Sequence, residues 1–168
     1  MVFRFGAFDF YDTIFCAGPH HKKEFQASEK LYNLKPKNLI NHGNSRLDSI
    51  LKSISQQNND LSYKVDRKCV LIAPSYGDNG LLEVCGSELV KYLLTKGHRV
   101  IVRPHPLTVR DRRDVISKLK KNFHGNKNFS METNVASQKS LLISHIMISD
   151  YSGAALEYAF GLERPVIF

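Results

Sequence analysis

Lys68 to Ala73, KCVLIA, is the segment that most limits how this chain can fold. Val70, Leu71 and Ile72 put apolar side chains on both faces of an extended strand, as the centre of a parallel sheet covered on both sides requires. A strand with one wet face would alternate polar and apolar residues instead. Such a strand needs helices above and below it, and the rest of the sequence supplies them.

Before it, Asp12–Ala17 (DTIFCA) reads as a strand closed by Gly18 and Pro19. His20–Asn33 has helical composition, with Phe25, Leu31 and Tyr32 for a buried face, and Leu39 and Ile40 begin a second short strand. From Ser45, taken as an N-cap with Asp48 three residues on, a helix carries Leu47, Ile50, Leu51 and Ile54 on one side until QQNND (Gln56–Asp60) ends it in a loop. After KCVLIA, Leu82, Cys85, Leu89 and Leu93 predict a helix over Leu81–Lys96. The spacing then predicts a strand at Arg99–Val102, an amphipathic helix over Asp111–Phe123 and a short strand at Phe129–Met131. A helix at Ala136–Ser144, a strand at Ile146–Ser149, a helix opening at Ser152 and a strand from Pro165 complete the chain. Strand and helix alternate throughout, which predicts an α/β, Rossmann-like parallel sheet with helices on both faces.

The length suits one domain with a proper core, so residues 1–168 are read as a single unit. The terminal PVIF is an apolar strand running into the chain end, where a polar, frayed segment is usual, so the chain reads as a piece of a longer protein. No apolar run approaches the roughly 20 residues of a membrane span, and MVFRFGAFDFYD lacks the core of a signal peptide. These features place the chain in the cytoplasm. Cys16, Cys69 and Cys85 are odd in number and widely spaced, which argues for free thiols. The net charge of +8 calls for an anionic partner: nucleotide phosphates, a phosphorylated polymer, an anionic membrane face or nucleic acid.

In a parallel sheet, ligands bind beyond the carboxyl ends of the strands. The loops there are GPHHKK, APSYGDNG, RPHP and SDYSGAA. In RPHP, Pro104 and Pro106 fix the backbone around His105, a rigid placement for an imidazole that donates to a phosphate, while Arg103 adds a permanent charge for nucleotide or phosphate binding. In SDYSGAA, the small residues Ser152, Gly153, Ala154 and Ala155 leave N–H groups uncovered at a helix N-terminus, the outline of a phosphate seat. Ser75, Tyr76 and Gly77 supply groups for a base, ribose or phosphate, and a plain βα turn would look the same. GPHHKK lacks the ligand set of a zinc site and reads as a solvated basic cap, so no metal is expected. The basic face around Asp114 (Arg112, Arg113, Lys118, Lys120, Lys121) is either a solvated surface or a contact for a phosphorylated polymer or anionic lipid. It has no interleaved aromatics for base stacking, so nucleic acid is not expected. Neither a P-loop, a GxGxxG turn nor a GxSxG elbow is present.

The ordered set HGNSRLD (His42–Asp48), VLIAPSYG (Val70–Gly77), VIVRPHP (Val100–Pro106) and ISDYSGAALEYAFGLERPVIF (Ile148–Phe168) resembles the C-terminal half of the CDP-glycerol glycerophosphotransferases. These teichoic-acid and capsule polymerases use the GT-B fold. The resemblance implies a nucleotide-binding domain, half of a GT-B fold, that takes a CDP-linked polyol phosphate as substrate and uses no cofactor. It implies that His105 acts at the donor phosphates and that Ser152 and Gly153 grip the pyrophosphate. Asp150 and Tyr151 would shape that turn, Glu157 would accept from ribose hydroxyls, and Ser75 stands where the family has threonine. It further implies a polymer acceptor, a separate N-terminal domain carrying the catalytic base, and peripheral contact with the inner face of an anionic membrane. Two departures stand out: Gly153 replaces a second serine, and His42-Gly43-Asn44-Ser45 replaces the Gly-Tyr-Pro before Arg-Leu-Asp. The last segment is also similar to UDP-N-acetylglucosamine 2-epimerases, which keeps a UDP-sugar donor as the alternative. A third reading is a non-catalytic, polyanion-binding basic module.

Overall fold

The computed structural model describes residues 4, 6–57, 68–134 and 136–168, and divides into two compact units, Met1–Asp48 and Ser49–Phe168. Of the loop expected at Gln56–Asp60, Gln56 and Gln57 belong to a helix and the rest lies outside the described residues.

In the first unit, β1 (Thr13–Cys16) and β2 (Asn38–Asn41) pair in parallel, Thr13 opposite Asn38, around the crossover helix α1 (Pro19–Tyr32). Pro19 starts α1 at the position where its missing N–H costs nothing. Asn33 ends it in the left-handed region at φ 50°, and Leu34 N–H closes back on Glu29 O. Phe25 is buried edge-on to Phe8 with ring centroids 5.0 Å apart. These two strands form their own sheet, whereas the sequence pattern suggested a single sheet through the whole chain. Helix α2 (Ser45–Gln57) runs across the division. Its cap is Asn44 and not Ser45: the Asn44 side-chain oxygen accepts from both Arg46 and Leu47 N–H at 3.2 Å.

The second unit is a five-stranded parallel sheet. Its strands are β3 (Cys69–Ile72), β4 (Arg99–Val102), β5 (Phe129–Met131), β6 (Ile146–Ile148) and β7 (Val166–Ile167), in spatial order β5-β4-β3-β6-β7. β3 is central and buried along its whole length, as its two-sided apolar sequence demands. Helices α3 (Leu81–Thr95), α4 (Pro106–Asp111), α5 (Arg113–Asn122), α6 (Lys139–Ile143) and α7 (Gly153–Leu162) connect the strands. Cys69, Leu71, Ala73, Ile101 and Met147 pack on one face with Ile50, Leu141, Ala155 and Tyr158. Val70, Ile72, Val100 and Val102 pack on the other with Leu82, Val90, Leu93 and Leu119. Burying each Val, Leu, Ile or Met side chain among them contributes about 1.5–3 kcal/mol, which makes the two faces of β3 the main support of the sheet.

Two helices differ from their sequence outlines. The amphipathic helix expected over Asp111–Phe123 starts only at Arg113, as α5, because Asp111 ends a separate helix, α4, that Pro106 starts directly after His105 and that stops at Arg112 (φ −118°, ψ 55°). Residues 136–138 are not yet helical: Asn134 Oδ1 accepts from Ala136 N–H and Ser137 Oγ from Lys139 N–H, turns that delay α6. In α3 the buried stripe is Leu82, Gly86, Val90 and Leu93, with Cys85 only half-buried. A Cβ at Gly86 would lie 3.0 Å from Leu82 Cδ2, so this glycine allows the close packing.

Candidate functional site

The carboxyl ends of β3, β4 and β6 carry three of the four loops singled out above, and the structure brings parts of them together. Past the strand ends, pairing of β3 with β6 continues: Ala73 N–H donates to Ile148 O at 3.0 Å and the buried Ser149 Oγ donates to Ala73 O at 2.7 Å.

His105 is the N-cap of α4. Its Nδ1 accepts from Leu107 N–H at 3.1 Å, so the neutral ring carries its proton on Nε2. Pro104 beside it is fully buried, while the imidazole is half-buried. The Tyr76 ring lies 6.0 Å from the His105 ring, tilted by 33°. Tyr76 OH donates to Asp111 Oδ2 at 3.4 Å, at the far end of α4. Asp111 in turn receives Arg110 Nη2 at 2.8 Å, and that hydrogen bond holds its carboxyl below the ordinary aspartate range. Asp111 was not legible as part of a site, because it read as the start of the next amphipathic helix.

Asp150 faces the β3–α3 loop. Its Oδ1 accepts a short hydrogen bond from Ser75 N–H and its Oδ2 accepts from Leu81 N–H, the first residue of α3, at 3.1 Å. Burial works against its ionisation, but the two N–H donors and the Ser75 hydroxyl outweigh it, and the carboxyl sits below its ordinary range. Ser75 is therefore engaged with Asp150 through its main-chain N–H.

Ser152 caps α7, its Oγ accepting from Ala154 N–H at 3.3 Å, and the first turn of α7 holds no acidic residue. A side chain at Gly153 would meet nothing within 4 Å, so space lies open over this helix start. Glu157 is four residues on, on the same helical face as Gly153, and is half-buried. The N-terminus of α3 contrasts with this, for it carries Glu83 in its first turn and the Asp150 carboxylate on Leu81.

Arg103 and Tyr151 do not join this group. Arg103 is buried, and its Nη1 donates to Ser137 O at 2.8 Å and to Ser140 Oγ at 3.2 Å, with Glu132 Oε2 at 3.4 Å. Its charge is engaged with the β5–α6 connection. Tyr151 is fully exposed. Glu132, Ser137 and Ser140 carried no sequence signal, because their roles depend on a guanidinium that arrives from β4. In the first unit, His21 in the first turn of α1 reaches back, its Nδ1 accepting from Ala17 N–H at 3.2 Å. Among the described residues, no three His, Cys, Asp or Glu side chains gather as a metal site would need, and no helix is long and apolar enough to cross a membrane.

The sequence profile of the family described as CDP-Glycerol:Poly(glycerophosphate) glycerophosphotransferase matches residues 7–168. No curated protein sequence matches the chain. Among solved structures, the wall teichoic acid polymerase TagF, in a variant soaked with CDPG, aligns at 20% identity and TM-score 0.59. That alignment covers 94% of this chain and 37% of TagF. The UDP-GlcNAc 2-epimerase of Neisseria meningitidis, bound to UDP-GlcNAc, aligns at 17% identity and TM-score 0.64 over 93% of this chain and 44% of its own. The epimerase of Methanocaldococcus jannaschii, in complex with UDP-GlcNAc and UDP, gives 14% identity and TM-score 0.60 over 92% and 44%. The chain thus spans well under half of each of these proteins, and the likenesses establish the Rossmann-like α/β fold. With the family profile running from Ala7 to the last residue across all the loops described above, the chain belongs to the CDP-glycerol:poly(glycerophosphate) glycerophosphotransferase family.

Proposed function

We propose that this chain holds the diphosphate of a CDP-linked polyol phosphate donor in the crevice beyond β3, β4 and β6, as the donor-binding half of a GT-B glycerophosphotransferase. The observation that carries the proposal is the contrast between the two helix starts. Acidic groups already serve α3, whereas α7 offers Ser152, Gly153 and open space to an anion. Ser152 Oγ accepts from Ala154 and keeps its own proton to donate to a phosphate oxygen. His105, with Nδ1 committed to Leu107, presents Nε2–H to the donor phosphates. Glu157, one turn into α7, accepts from the ribose hydroxyls. Ser75, Tyr76 and Asp150 shape the other wall, and Arg103 supports it from within the fold.

In the transfer, an acceptor hydroxyl oxygen bonds to the phosphorus of the polyol phosphate while the bond from that phosphorus to the CMP oxygen breaks. CMP leaves with the electron pair, and hydrogen bonds from His105 and Ser152 offset the charge that grows on it. The acceptor proton passes to a base in another part of the enzyme, so the 168-residue chain binds nucleotide and turns nothing over by itself. A growing surface polymer is the acceptor. The enzyme works in the cytoplasm, against the inner membrane face, with Lys118, Lys120 and Lys121 of α5 toward anionic lipid or polymer.

Calorimetry with CDP and UDP tests this. CDP binding that weakens at least tenfold in His105→Ala supports it; no binding of either nucleotide, or binding indifferent to His105, overturns it. A UDP-sugar donor, such as the UDP-GlcNAc to which the Neisseria epimerase is bound, is the second reading, and a preference for UDP in the same titration would select it.

A further inference from the structure

We infer that Asp150 is a positioning residue that latches the loop before α7 to the loop before α3, and is not itself a ligand of the donor; this rests on the donor crevice proposed above. A carboxylate two residues from a phosphate seat would repel the phosphate if its charge faced the ligand. Here the charge faces the other way. Oδ1 and Oδ2 each take a main-chain N–H, from Ser75 and from Leu81. The dipole of α3, fifteen residues long, also favours the anion at that end.

Mechanically, the latch continues the β3–β6 pairing beyond the sheet. Ile148 O, Ser149 Oγ and Asp150 hold successive points of the chain from Ala73 to Leu81. Tyr76 lies between the two points that Asp150 holds and is thereby kept 6.0 Å from the His105 ring. The residue on the α7 side of the crevice thus sets the geometry of the wall opposite. Asparagine cannot replace it, since one of its two termini is a donor and would face a donor N–H. Glutamate keeps two acceptors, displaced by one methylene.

The test uses the 168-residue protein with amide hydrogen exchange and CDP titration. In the wild type, the Ser75 and Leu81 amides exchange slowly although they lie in a loop and at a helix start. In Asp150→Asn both lose protection, the Val70 and Ile101 amides keep theirs, and the CDP dissociation constant rises about tenfold; Asp150→Glu recovers part of both effects. Unprotected Ser75 and Leu81 amides in the wild type would overturn the inference. So would an Asp150→Asn protein that binds CDP as tightly as wild type. Should Asp150→Asn not fold, the wild-type exchange alone decides. A wild type that binds neither CDP nor UDP refutes the donor crevice, while the amide protection still reports on the latch.

Discussion

His105 has two nitrogens with separate tasks, and two substitutions separate them. Nδ1 holds the Leu107 N–H at 3.1 Å, the cap of a six-residue helix. Nε2–H is assigned to the donor. His105→Ala removes both. Losing the cap costs about 1 kcal/mol of stability, and in a chain of this size that lowers the melting temperature by roughly 2–4 °C. His105→Asn keeps a cap, since an asparagine oxygen at the N-cap reaches the same N–H, so its melting temperature stays close to wild type. Neither variant presents an imidazole N–H to a phosphate. A hydrogen bond to a charged group is worth about 1.5–3 kcal/mol, which is roughly a 10- to 150-fold loss of CDP affinity in both. Scanning calorimetry and isothermal titration of the two variants read the two quantities independently. Equal melting temperatures for His105→Ala and wild type would refute the cap, and wild-type CDP affinity in His105→Asn would refute the phosphate role.

Arg103→Met leaves Glu132 half-buried without the guanidinium now 3.4 Å away and takes a donor from Ser137 O and Ser140 Oγ. A loss of about 2–4 kcal/mol is expected in urea denaturation, with faster proteolysis between Glu132 and Ser140. Gly153→Ser restores the family's second serine into open space at ordinary backbone angles. Its melting temperature is expected within about 2 °C of wild type, with CDP binding retained or tightened; a loss of binding would mean that the bare backbone at Gly153 is itself required. For pH, the Asp150 carboxyl is lowered in the fold, so its contribution is fully present above the unfolded value of about 4 and is lost as pH falls through the lower native value. Asp150→Asn should flatten that acid limb in thermal scans below about pH 4, and an unchanged limb would count against the paired N–H donors.

The sheet was legible because its rule is local. KCVLIA could only be a covered central strand, and β4, β5 and β6 follow from short apolar runs with turn residues between them. His105 was legible for a similar reason, since two prolines announce a fixed backbone without knowledge of the fold. What the chain did not disclose were side chains whose partners come from distant segments. Arg103 reads as a phosphate-binding charge next to His105, yet it is buried beyond β4, where Ser137 and Ser140 arrive from the β5–α6 connection. Asp150 likewise read as part of its own turn, and its actual partners are 75 and 69 residues away in sequence.

These placements divide the charges around the crevice into two kinds. Arg103 and Asp150 carry full charges that the fold itself consumes, one inside the β5–α6 connection and the other on the α3 start. What the proposed reading leaves for a ligand is weaker in formal charge: the main chain at Gly153, and the Ser152 hydroxyl and His105 Nε2–H, whose side chains are each held by a neighbouring backbone N–H. Dipolar donors of this kind favour a diphosphate without binding its leaving group so tightly that it cannot depart. That division explains why the net charge of +8 was a poor guide to the crevice. The 24 Lys and Arg residues are spread along the chain, with four on α5 and two, Lys22 and Lys23, at the start of α1, and on the proposed reading a phosphate is selected by oriented N–H and O–H groups beyond a parallel sheet.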